Sequence, residues 1–106
     1  MKMLCVDDNA DLRTGLKEQF ELEDFNVDTA SDGVEAIEKI KQNHYDIVLL
    51  DVKMPKMGGL EVLKEMKDIN KYPHVIMLSA VDDVPTAIEC MKLGAKDYIS
   101  KPYDPE

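Results

Sequence analysis

The chain has 106 residues, 44% of them hydrophobic and 33% charged, enough for one ordinary globular domain with one sizeable core. Its longest apolar run falls far short of the roughly 20 residues needed to cross a bilayer, and the N-terminus lacks the basic, apolar and small-residue succession of a secretory signal, so a soluble cytoplasmic protein is expected. A formal charge of −9, from 22 acidic against 13 basic residues, repels phosphate backbones and anionic lipid and argues against direct nucleic-acid or membrane binding.

Met3-Leu4-Cys5-Val6 reads as a strand and delivers the acidic pair Asp7-Asp8 at its end. Leu12, Leu16 and Phe20 then recur at four-residue intervals, predicting a helix over about 10–23 that covers a sheet. Val27-Asp28-Thr29-Ala30 alternates as a short edge strand, and Ser31-Asp32 offers a cap for a second helix with Val34, Ile37 and Ile40 on one face. Ile47-Val48-Leu49-Leu50 is a third strand ending at Asp51. The turn Met54-Pro55-Lys56-Met57-Gly58-Gly59 leads to a third helix carrying Leu60, Leu63 and Met66. Val75-Ile76-Met77-Leu78 is a fourth strand ending at Ser79; beyond Asp82-Asp83, Val84, Ile88 and Met91 carry a fourth helix that Gly94 closes. A fifth strand over about 96–99 precedes Ser100-Lys101-Pro102.

The first, third and fourth strands are continuous apolar runs without alternation, as expected of central parallel strands covered on both faces. The order of elements predicts a single doubly wound α/β domain over 1–106, with no repeat or linker. Asp104, Pro105 and Glu106 read as cap, first-turn proline and first-turn acid of a fifth helix. The chain is thus expected to stop where that helix begins, with the helix either cut away from a longer protein or replaced by another chain in an oligomer. Cys5 and Cys90 have neither zinc-site spacing nor disulfide density and are expected as buried, reduced thiols. His44 and His74 are expected at the surface and at a strand edge.

Parallel strands point the same way, so Asp7, Asp8, Asp51, Ser79 and Lys101, each just past a strand, gather at one edge of the sheet. Three carboxylates brought together repel one another, a cost that a hard divalent cation removes, and Mg2+ fits such an oxygen set best.

These residues resemble the receiver domains of two-component response regulators. Asp7-Asp8-Asn9, Asp51 with Met54-Pro55 and Met57-Gly58-Gly59, Ser79-Ala80, Gly94-Ala95 and Lys101-Pro102 stand in that family's order and spacing along essentially the whole chain. The resemblance implies a flavodoxin-like sheet of order 2-1-3-4-5. It also implies that Asp51 accepts a phosphoryl group from a phosphohistidine on a sensor kinase or phosphotransfer protein. Asp8, Asp51 and the backbone carbonyl of Lys53 would bind Mg2+, with Asp7 holding a metal-bound water or coordinating more weakly. Lys101 would pair with a phosphoryl oxygen, aimed inward by a cis bond to Pro102. Ser79, where the family usually has threonine, would hydrogen-bond the phosphoryl group, letting Tyr98 turn inward and altering the surface offered to a downstream output domain or protein. In this reading the chain catalyses its own phosphorylation and slow dephosphorylation, at a rate set partly by Lys53 and Val81. Glu23-Asp24-Phe25 lacks the glycine often found before that aromatic.

Two other readings compete. Asp7, Asn9, Asp11 and Glu18 match positions of a calcium-binding loop, although Leu12 stands where that loop needs glycine and a strand precedes it. A phosphohydrolase with Asp51 as nucleophile would need a second acid, and Lys53 occupies the place where one is often found.

Overall fold

A computed structural model describes residues 1–101, apart from the side chain of Val81. Strands β1 (Lys2–Val6), β2 (Asn26–Ala30), β3 (Ile47–Asp51), β4 (His74–Ser79) and β5 (Asp97–Ser100) alternate with helices α1 (Ala10–Glu21), α2 (Gly33–Gln42), α3 (Gly59–Asp68) and α4 (Val84–Lys92). All neighbouring strands pair in parallel, in the order β2-β1-β3-β4-β5. Order and fold class are those expected, with β2 at an edge. The expected fifth helix and the cis bond to Pro102 lie outside the described residues.

Because β1, β3 and β4 are apolar on both faces, two layers form. One face buries Leu4, Val6, Val48, Leu50, Val75 and Met77 against Ile37 and Ile40 of α2, Val62, Leu63 and Met66 of α3, and Ala87 and Cys90 of α4. The other buries Met3, Cys5, Val27, Leu49 and Leu78, with Leu16 and Phe20 of α1 half-buried on it. Burial pushes the Cys5 thiol up to about 12 and the Cys90 thiol up to about 11, so both stay protonated and unreactive.

Two helical faces differ from expectation. Val34 in α2, and Ile88 and Met91 in α4, are exposed. Helix α4 is apolar around much of its girth, and the small side chains of Ala87 and Cys90 face the sheet, which turns Ile88 and Met91 outward.

Helices α1, α3 and α4 close with the same pair of backbone hydrogen bonds, at the end of the sheet away from Asp51. The amides of Asp24 and Phe25 donate to the Glu21 and Phe20 carbonyls, those of Asn70 and Lys71 to Lys67 and Met66, and those of Gly94 and Ala95 to Met91 and Cys90. Each closure needs a residue with positive φ, and Asp24 (69°), Asn70 (60°) and Gly94 (117°) supply it. Asp24 thus takes the backbone role that glycine would fill more cheaply.

The β2 edge is covered by side chains. The Asp7 amide donates to the Ala30 carbonyl, so by the period of two the Val27 and Thr29 carbonyls point away from β1. Lys17 of α1 donates to the Val27 carbonyl at 2.7 Å, and Lys39 of α2 donates to that of Thr29.

Candidate functional site

Strand register assembles the site. Val6 lies opposite Leu50, Asp51 opposite Leu78 and Ser79 opposite Ser100, so Asp7, Asp51, Ser79 and Lys101 emerge side by side at the carboxyl edge. The Lys101 amide donates to the Ser79 carbonyl at 2.9 Å, extending the ladder one residue past β5 and fixing the root of the lysine.

Asp7 and Asp51 are fully buried, whereas Asp8 is exposed at the rim. One carboxylate oxygen from each of the three lies within 4.8 Å of the others. Lys101 Nζ stands 3.0 Å from Asp51 Oδ2 and 3.2 Å from Asp7 Oδ2. The second Asp51 oxygen accepts a long hydrogen bond of 3.4 Å from the Lys53 amide. Asp7 Oδ1 accepts from the Asn9 amide at 2.9 Å, while Oδ2 is buried near Lys101 with no hydrogen bond of good geometry.

One amine between two buried carboxylates leaves negative charge in excess. Desolvation first, then the charge of Asp7, push Asp51 up to about 6, although Lys101 and the Lys53 amide pull the other way. Burial opposes the charge on Lys101, but the hydrogen bond and charge of Asp51, with Asp7, outweigh it and raise that pKa. An orphaned buried oxygen, a raised carboxyl and a solvent-facing third carboxylate are what a hard divalent cation would satisfy, so the residues fit Mg2+.

Ser79 is buried and donates its hydroxyl to the Ala80 carbonyl at 2.9 Å, a local bond that a better acceptor could replace. Tyr98 is half-buried, packed against the larger core cluster. Sequence reasoning missed several supports. Arg13, one turn into α1, donates to the Asp7 carbonyl at 2.7 Å. Gly59 is forced, because a Cβ there would lie 2.6 Å from the Asp51 carbonyl oxygen. Lys53 Nζ reaches within 3.8 Å of Asp83, and Lys56 within 3.6 Å of Asp32, tying the loop after β3 to its neighbours. Only the singled-out position of Lys53 gave any sign of these ties.

The calcium-loop reading fails here. Asn9 caps α1, and Asp11 and Glu18 lie on that rigid helix, which cannot wrap around an ion.

A family model for the response regulator receiver domain matches residues 3–106, and the chain belongs to that family. It is 38% identical over 103 residues to the regulatory protein AtoC of Escherichia coli, and 39% identical over 103 residues to a transcriptional regulatory protein CpxR homolog of Haemophilus influenzae. Each match covers 97% of this chain but only 22% and 44% of those proteins, so the chain spans less than half of either. Among solved structures, a chain of the CheX–CheY–BeF3–Mg2+ complex from Borrelia burgdorferi superposes with a TM-score of 0.88 at 40% identity, over 98% of this chain and 80% of that one.

Proposed function

We propose that the chain acts as a phosphoacceptor module. Asp51 takes a phosphoryl group from a phosphohistidine of a sensor histidine kinase or phosphotransfer protein, and the resulting change of charge resets a binding surface. The observation that carries this reading is the buried Asp51 carboxylate with Lys101 at 3.0 Å and two further carboxylates beside it.

An Asp51 oxygen forms the new bond to phosphorus while the bond from phosphorus to the imidazole nitrogen breaks and its electron pair returns to the ring. Lys101 moves from pairing two carboxylates to pairing a phosphoryl oxygen, and burial strengthens that contact by excluding water. Asp8, Asp51 and the Lys53 carbonyl would hold Mg2+, with Asp7 beside them. Bound there, the ion supplies neutralisation and alignment of the transferring group. Ser79 exchanges the Ala80 carbonyl for a phosphoryl oxygen, and Tyr98 follows, so that α4 and β5 present a different face. The relatives' names support an output domain or protein that acts on transcription. The charge of −9 supports a cytoplasmic chain that is not itself in contact with DNA.

Intact mass after incubation with acetyl phosphate and Mg2+ tests the assignment. One phosphoryl adduct is expected on the 106-residue chain and none on Asp51→Asn or after chelation of the metal. Undiminished labelling of Asp51→Asn would overturn it.

A further inference from the structure

At the amino ends of the strands, far from Asp51, the molecule carries two unlike features. The first is a knob. Leu22 is 86% exposed, the most exposed large apolar side chain among the described residues, and Glu23 and Asp24 beside it are exposed with no ion pair among those residues. The knob is rigid. The Leu22 and Glu23 amides donate to the Glu18 and Phe20 carbonyls, the α1 closing bonds follow, and Phe20 and Phe25 meet edge to face at 5.6 Å beneath it.

The second is a cleft of about 290 Å3 between the ends of α3 and α4. Its apolar lining comes from Leu63, Met66, Val75 and Leu93, and its rim carries Lys67, Lys71 and Lys96. None of these lysines pairs with a carboxylate among the described residues, although the chain holds 22 acidic side chains. Lys67 lies in the last turn of α3 and answers that helix's negative end, but Lys71 and Lys96 lie beyond the helices.

We propose that the occupant of this cleft is a second copy of the chain, whose Leu22 enters the apolar lining while Glu23 and Asp24 meet the lysine rim. A chain cannot fill its own cleft. The knob follows α1 on one face of the sheet and the cleft lies on the opposite face, with β1 and β3 between β2 and β4, a span of about 14 Å at the usual strand spacing. The knob meets the cleft head to tail, so two copies either reciprocate in a closed pair or continue as a chain. Rigidity of the knob lowers the ordering cost of association, and the small area makes the contact weak.

Sedimentation velocity of the full chain from about 10 μM to about 1 mM tests this over the range where weak contacts populate. The sedimentation coefficient is expected to rise with concentration at low salt and to rise less at about 0.5 M salt. Leu22→Ser and Lys71→Glu, both at surface positions and checked for folding by circular dichroism, are each expected to weaken association at least about tenfold. Glu23→Lys combined with Lys71→Glu in one chain is expected to restore it. A chain that stays monomeric at about 1 mM and low salt overturns the proposal and leaves the cleft to an acidic partner of another kind. Association that survives both single variants, or that the double variant fails to restore, overturns it equally.

Discussion

The two ends of the sheet follow opposite rules. At the amino end, α1, α3 and α4 finish with their last carbonyls paired, a positive-φ residue placed where each turn needs one. At the carboxyl end, two carboxylates are buried against one amine, one oxygen lacks a good hydrogen bond and Asp51 is pushed up to about 6. The first end is locally relaxed and holds the fold; the second is held in an unfavourable electrostatic state by strands stabilised elsewhere. Reactivity therefore sits where the fold is least satisfied, and changes at the two ends should separate function from stability.

The largest separation is expected from Asp51→Asn, which should abolish labelling yet raise stability. Removing a buried charge relieves up to about 3 kcal/mol, from roughly two pH units at 1.36 kcal/mol each, and losing the Lys101 partner returns part of it. A net gain of about 1–2 kcal/mol in urea unfolding is the expected outcome, and a loss would mean that Lys101 pairing outweighs desolvation.

The same group should impose a pH dependence in metal-free solution. Folded Asp51 binds its proton near pH 6 and unfolded Asp51 near 3.8, so between these values the folded state holds more protons. Its contribution to stability should therefore rise as pH falls from about 7 towards 4, and should be flat above about 7. Unfolding midpoints of the wild type minus those of Asp51→Asn isolate this group, and a difference that does not change between pH 7 and pH 5 would refute the shift (about two units). Mg2+ at ten times its dissociation constant should add about 1.4 kcal/mol to the wild type, and clearly less to Asp8→Asn.

Changes at the other end should leave labelling intact. Gly94→Ala places a side chain at φ 117°, and a loss of about 1–2 kcal/mol is expected with unchanged acetyl phosphate reactivity. Asp24→Gly should have the smallest effect, a gain below about 1 kcal/mol, because relief of the left-handed residue is offset by greater freedom of the unfolded chain. A reduction of labelling by either variant would show that the two ends are coupled.

Most of the site was legible because parallel strands convert sequence order into spatial adjacency. Once the runs before Asp7, Asp51, Ser79 and Lys101 read as strands, their convergence followed. Supports that reach across the chain were not legible: the Lys53–Asp83 and Lys56–Asp32 pairs span loops whose course no periodicity encodes. Gly59 is dictated by the closeness of the Asp51 backbone, a contact invisible before folding. The misread face of α4 has a local cause, since Val84, Ala87, Ile88, Cys90 and Met91 form too wide an apolar stripe to fix a single direction. Packing settled it in favour of the smaller side chains.

The lysine seals on β2 also bear on how the sheet can grow. A strand added from another molecule must find free acceptors along an edge, and those of Val27 and Thr29 already receive amines from both flanking helices. Strand addition is therefore opposed on that flank without recourse to proline or a bulge. Among the described strands the other edge is β5, so the two flanks of the sheet are unequal as sites of growth.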